Sequence, residues 1–177
     1  MKKYIIIPLV LIGVILGVLL LIIVLFPKKY SNHIELYANK YNLDKSLVYS
    51  VINIESGYDK NSVSSAGAVG LMQIMPDTAS ECAYKLGIDG GDVFEESFNI
   101  EIGCYYLRYL LDIFDGNIVN TLCAYNWGLG NVWDWINKGN VDESGTITNL
   151  QVAETKNYIV KFRVNQFVYK NILGVDK

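Results

Sequence analysis

The chain has one histidine, His33, and three cysteines, Cys82, Cys104 and Cys123, none of them in a CxxC pair. Protein metal centres of the zinc type draw on clustered His and Cys ligands, so no metal site is expected, and nothing in the sequence implies a nucleotide or organic cofactor. In an oxidising compartment two of the cysteines can pair and leave one thiol; the alternative is that all three are small buried apolar residues. Basic charge is scarce as well. From Tyr30 to Lys177 there are 11 Lys and Arg, the chain's 15 less Lys2, Lys3, Lys28 and Lys29, against all 18 acids, a formal charge of −7. Phosphate contacts need a basic face, so nucleic acid binding is excluded, and an anionic polymer would have to be held by shape, stacking and hydrogen bonds. No strand ladder, internal repeat or low-complexity linker is present, which leaves room for one mostly helical domain plus an appendage in 177 residues.

The appendage is the apolar run from Tyr4 to Phe26, in which every residue is apolar, Gly or Pro. About 20 such residues span a bilayer as a helix, and the run ends in Pro27-Lys28-Lys29 without a small-residue cleavage site, so an uncleaved membrane anchor over residues 1–29 is expected. Lysines flank both ends in equal number, so the positive-inside rule leaves its orientation open.

Beyond it, Ile34, Tyr37, Ala38 and Tyr41 recur at helical spacing, and Asp44 reads as the N-cap of a helix carrying Leu47, Val48, Val51, Ile52 and Glu55, ended by Gly57. The segment 61–70, rich in Ser, Asn, Ala and Gly, favours turns or a short irregular hairpin. Pro76 suits the first turn of a helix running to Leu86 and closed by Gly87. Further helices are expected over 100–114, 119–125, 132–136 and 152–172.

Glu55 stands at the C-terminal end of an apolar helix, behind Val51, Ile52 and Ile54. Partial desolvation and the negative helix end both favour its protonated form, as a general acid near neutral pH requires. The loop after it adds Gly67 and Gly70, which permit close backbone approach, and Ser64 and Gln73, which can hydrogen-bond a polar ligand beside Met72 and Met75. Apolar faces with polar edges suit a sugar.

Four motifs then stand in order. They are Glu55-Ser56 with Ser64-Ser65-Ala66-Gly67-Ala68 and Gly70-Leu71-Met72-Gln73-Ile74-Met75-Pro76; Asn99 with Gly103 and Tyr106-Leu107; Ala124-Tyr125-Asn126-Trp127-Gly128; and Glu154-Thr155 with Tyr158-Ile159. Over about residues 43–162 the chain resembles the family 23 lytic transglycosylases, relatives of goose-type lysozyme. The resemblance implies an α+β, predominantly helical lysozyme-like domain over 30–177, preceded here by the expected N-terminal transmembrane helix. It implies Glu55 as the catalytic residue, Ser64, Gln73, Met75 and Tyr125 as lining of a sugar-binding cleft, and Glu154 near the active site. It also implies cleavage of the β-1,4 bond between N-acetylmuramic acid and N-acetylglucosamine in peptidoglycan, with 1,6-anhydro ends as product.

One acid suffices for that reaction because the nucleophile belongs to the substrate, whereas a two-carboxylate glycosidase needs a partner roughly 5–9.5 Å away. Between Glu55 and Asp77 only Asp59 is acidic, which favours the transglycosylase. A hydrolytic muramidase and a non-catalytic wall-binding scaffold in a cell-envelope assembly stand as alternatives. Trp127, Trp133 and Trp135 can serve as stacking platforms, but tryptophans in a small helical domain are more often core, so they are left out of the site; Trp127 stands where many members of the resembled family carry a small residue, which can change the cleft wall there. With peptidoglycan as substrate, the expected placement is single-pass in the bacterial cytoplasmic membrane with the domain outside the cytoplasm.

Overall fold

A computed structural model describes residues 2–176. Among the described residues eight helices follow one another: α1 Lys2–Leu25, α2 Ser31–Lys40, α3 Lys45–Glu55, α4 Pro76–Leu86, α5 Glu96–Ile113, α6 Ile118–Trp127, α7 Leu129–Asn137 and α8 Ala153–Phe167, the last continued by a π-helical turn, Val168–Ile172. The periodic apolar positions predicted the bodies of these helices. Pro76 opens α4 and Gly87 closes it with φ 68°, a left-handed conformation that glycine adopts at little cost. Asp44 does occupy the N-cap of α3, but its side chain makes no cap bond; it pairs instead with Lys170 at 3.1 Å.

Two expectations are corrected. The β part of the expected α+β fold shrinks, among the described residues, to isolated antiparallel bridges, Val63 with Val69, Val69 with Ile74, and Val141 with Ile147, so the domain is mostly helical. The transmembrane helix expected over Tyr4–Phe26 is not supported either: among the described residues no helix is long and apolar enough to cross a membrane. Side chains of Tyr4, Ile5, Ile6 and Leu9 lie outside the described ones.

Helix α3 is the centre of the domain. Its residues Leu47, Val48, Val51 and Ile52 are buried against Ile34 and Ala38 of α2, Leu71 and Met72 of the following loop, Ile100 and Leu107 of α5, and Tyr158 and Phe162 of α8. A smaller apolar cluster, with Leu110, Phe114, Cys123, Val132 and Ile147, joins α5, α6 and α7. Tyr106, Tyr125 and Ile159 pack on both clusters and so mark the seam between them. All three cysteines are buried and free, as small apolar residues would be.

The chain from 56 to 75 is a loop that puts Tyr58, Leu71, Met72 and Ile74 into the core, and polar anchors hold its backbone in place. The Ser56 hydroxyl donates to the Leu71 carbonyl at 2.8 Å. Asn99, buried in α5, accepts from the Met72 backbone N–H at 2.8 Å and donates to the carbonyls of Val69 and Val93 at 3.0 and 2.8 Å. Gly70 and Gly103 make these approaches possible: a Cβ on Gly70 would collide with the Asn99 side chain, and one on Gly103 with the Met72 sulfur.

Replacing Asn99 by Ala leaves a buried N–H and two carbonyls without partners, each unsatisfied group costing about 1–3 kcal/mol. A drop in Tm of several degrees by thermal denaturation is therefore expected, at about 2–4 °C per kcal/mol for a chain of this size; a Tm within 1 °C of the parent would contradict the anchoring role.

Candidate active site

Glu55 is the last residue of α3, where the helix turns out through Ser56 and Gly57. Its side chain is half-buried, enclosed by protein on most sides with one edge toward solvent. That enclosure pushes its pKa from the ordinary 4.5 up to about 7, mainly through desolvation of the charged form. The hydrogen bond from Tyr158 and the charge of Lys161 act in the opposite direction, and the negative charge of Glu154 adds to the rise. The Tyr158 hydroxyl donates to Glu55 Oε1 at 2.8 Å, a bond spanning 103 positions of sequence. The carboxyl is thus held in one orientation and poised to exist in either protonation state near neutral pH.

The other expected site residues divide. The Tyr125 hydroxyl donates to the Met72 carbonyl at 2.8 Å, so the phenol that holds Glu55 is that of Tyr158 rather than that of Tyr125. Tyr125 still lies within the field of Glu55, whose charge is one cause of its raised pKa, after burial. Gln73, Met75 and Tyr125 line one cavity of about 250 Å³ together with Thr78, Tyr106 and Trp127. Gln73 has φ 48° and spends its amide N–H donors on the carbonyls of Ser62 and Gly70, at 3.0 and 2.9 Å, which leaves its oxygen as an acceptor. Ser64 does not line this cavity; its hydroxyl oxygen accepts from the Ala68 N–H at 3.0 Å and closes the loop's turn. Glu154, in the first turn of α8, is exposed and reaches Glu55 only through its charge.

Tyr158, Tyr106 and Trp127 were not among the expected site residues, although Trp127 was weighed as a stacking platform. Tyr158 follows Glu154 by four positions, which puts both on one face of α8, and Tyr106 and Trp127 stand inside the motifs that carry the resemblance. The tryptophans left out of the site are not deeply buried: Trp127 is half-buried on the cavity wall and Trp133 is 40% exposed.

Residues 32–146 match the family model described as the transglycosylase SLT domain. The chain belongs to the transglycosylase SLT domain family. It is 29% identical over 155 residues to the soluble lytic murein transglycosylase of Escherichia coli strain K12, covering 84% of this chain and 24% of that protein. Over 169 residues it is 28% identical to the membrane-bound lytic murein transglycosylase C of Cronobacter sakazakii, covering 80% of this chain and 46% of the relative. In structure it resembles an inactive glutamate-to-glutamine mutant of lytic transglycosylase Slt from Pseudomonas aeruginosa, with TM-score 0.76, 28% identity, 86% of this chain covered and 25% of that one. The 70-kDa soluble lytic transglycosylase in complex with bulgecin A gives TM-score 0.74 at 29% identity, over 84% of this chain and 25% of the other. The chain thus spans about a quarter of the length of the first of these relatives. The SLT match ends before α8, so Glu154 and Tyr158 lie beyond it.

A raised folded-state pKa makes Glu55 a pH-dependent liability for stability. Above about 4.5 an unfolded chain loses a proton that the folded state keeps, so stability relative to a Glu55→Gln variant declines as pH rises through 7 and then levels off. The Tm of Glu55→Gln minus that of the parent should widen between pH 5 and pH 8; a gap independent of pH would place Glu55 at its ordinary pKa.

Proposed function

We propose that the chain is a peptidoglycan lytic transglycosylase that cleaves the β-1,4 bond between N-acetylmuramic acid and N-acetylglucosamine through a single general acid and base, Glu55. The observation that carries the reading is a partly buried carboxyl, raised to about 7 and fixed by Tyr158, in an SLT domain, with its charge acting on Tyr125, which lines the cavity. Residues 30–177 form the working unit, which acts where peptidoglycan is, outside the cytoplasm.

In the first step the protonated Glu55 gives its proton to the glycosidic oxygen as the bond to C1 of the muramic residue breaks. In the second the Glu55 carboxylate takes the proton of the C6 hydroxyl of the same residue, whose oxygen bonds to C1 and closes the 1,6-anhydro ring. The proton returns to Glu55 and no water is consumed. Tyr158 favours the carboxylate between the steps by donating to it, which keeps the pKa from rising further. Gln73, Met75 and Tyr125 line the sugar cleft, and Glu154 sets the local potential. Ser64 contributes by shaping the loop that carries Gln73. The exposed carboxylates of Asp59 and Asp77 point to no second catalytic acid: Asp59 accepts from the Asn61 N–H at 3.0 Å in a local turn, and Asp77 serves the N-terminus of α4.

Digestion of purified sacculi followed by mass analysis tests the reaction. Anhydro-muramic ends are expected from the parent chain, with at least a 10²-fold loss of rate in Glu55→Gln. Reducing ends would mean hydrolysis instead, and undiminished cleavage by Glu55→Gln would remove Glu55 from the chemistry.

The pH profile tests the acid role. With the reactive form protonated in the free enzyme, kcat/KM should fall about tenfold per pH unit above a midpoint near 7. Tyr158→Phe removes a bond that favours the carboxylate, so this limb should move to higher pH while the rate drops. A limb that stays in place or moves lower would show that Tyr158 does not act on the Glu55 proton.

A further inference from the structure

The cavity beyond Tyr125 is walled by an aromatic side chain that the catalytic steps do not use. Trp127 is the last residue of α6, two positions after Tyr125, and it is partly buried, packed against the second apolar cluster. Its ring forms a T-shaped pair with Trp135, with centroids 5.9 Å apart and planes at 68°. Trp135 is itself fixed, its indole N–H donating to the Thr148 carbonyl at 3.0 Å. The backbone is pinned too: the Asn131 amide donates to the Trp127 carbonyl at 2.6 Å, and Gly128 takes φ 91° so that the chain can leave α6 and start α7 at once. An indole held from behind in this way is ordered before any ligand arrives, and little conformational entropy is lost on binding.

Around the same cavity stand the Tyr106 ring, tilted against Tyr125 at 5.6 Å, the Thr78 hydroxyl and the 42%-exposed Met75. At about 250 Å³ the space lies below the roughly 300–1,000 Å³ of drug-sized pockets and suits one sugar ring rather than an oligosaccharide. The domain's formal charge of −7 gives no help in capturing a muropeptide polymer, so affinity has to come from stacking and hydrogen bonds. An indole face beside hydroxyl and amide groups matches the apolar face and polar rim of a pyranose.

Resting on the function proposed above, we propose that Trp127 is a specificity-determining residue of the cleft, the stacking platform for one N-acetylhexosamine ring of the strand. Trp135 is the positioning residue behind it.

The test uses the full chain with glycan strands for kinetics, and the N-acetylglucosamine tetramer as binding probe on a Glu55→Gln background. Trp127→Ala should raise KM for strands and Kd for the tetramer by about tenfold, the value of one lost aromatic contact, with the loss in KM exceeding any loss in kcat. Trp127→Phe, which keeps an aromatic face and guards against a misfolded Ala variant, should retain most of the affinity. It should also abolish the change in intrinsic tryptophan fluorescence on tetramer addition. Unchanged KM and Kd in Trp127→Ala, or a fluorescence change that survives in Trp127→Phe, would overturn the platform. If strands are cut normally by the Trp127 variants, the platform fails and the transglycosylase reading stands. If the parent chain cuts no strands, that reading fails, and the tetramer titration still judges whether Trp127 binds sugar.

Discussion

A carboxyl group taken half out of water is the constraint on which the rest of this domain depends. Ionised Glu55 loses hydration that the protein only partly restores, through one phenol and one distant lysine, so its proton is retained to about pH 7. Too much replacement would leave a permanent carboxylate with no proton to give. Too little would leave a permanent acid unable to accept one. The placement at the end of α3 achieves the balance because the helix supplies an apolar body behind the residue and stops before burying it.

Holding that balance requires three elements from distant parts of the chain. Helix α3 carries the acid and α8 brings the Tyr158 hydroxyl. The loop from Ser56 to Met75 forms the rim, tied by Ser56 to its own Leu71 and by Asn99 to α5. These bonds act together with the buried Tyr58, Leu71, Met72 and Ile74 to keep the loop closed, since local stability follows local burial. Met72 joins the two halves: its side chain fills the space that Gly103 leaves, and its carbonyl receives the Tyr125 hydroxyl. The rim is therefore attached to the same seam between apolar clusters on which Tyr106 and Tyr125 sit.

Much of this was legible in the sequence because it is local. Helical periodicity marks α2, α3 and α5 through the residues that form the core, and Pro76 and Gly87 mark both ends of α4. The raised pKa of Glu55 follows from its apolar neighbours, and the Gly-containing loop from its composition. What was missed is long-range. The partner of Glu55 lies 103 residues away, and although spacing puts Tyr158 on the face of α8 that carries Glu154, nothing local ties that face to Glu55. Ser64 was expected in the cleft because a hydroxyl can bind a ligand or a backbone N–H, and only the fold shows that it takes the N–H. Tryptophans were left out of the site because in a small helical domain they are more often core; Trp127 both packs on the second apolar cluster and lines the cavity. The apolar run near the start of the chain suggested a membrane span, which the described helices do not provide.

The central claim concerns one proton, and it can be observed without substrate. In the full chain labelled with ¹³C-glutamate, the resonance of the Glu55 side-chain carboxyl, assigned by its disappearance in Glu55→Gln, can be followed from pH 4 to pH 9. A titration midpoint near 7 is expected. A midpoint near the ordinary 4.5 would mean that the carboxyl is solvated and ionised at neutral pH, and that it has no proton to deliver to a leaving sugar.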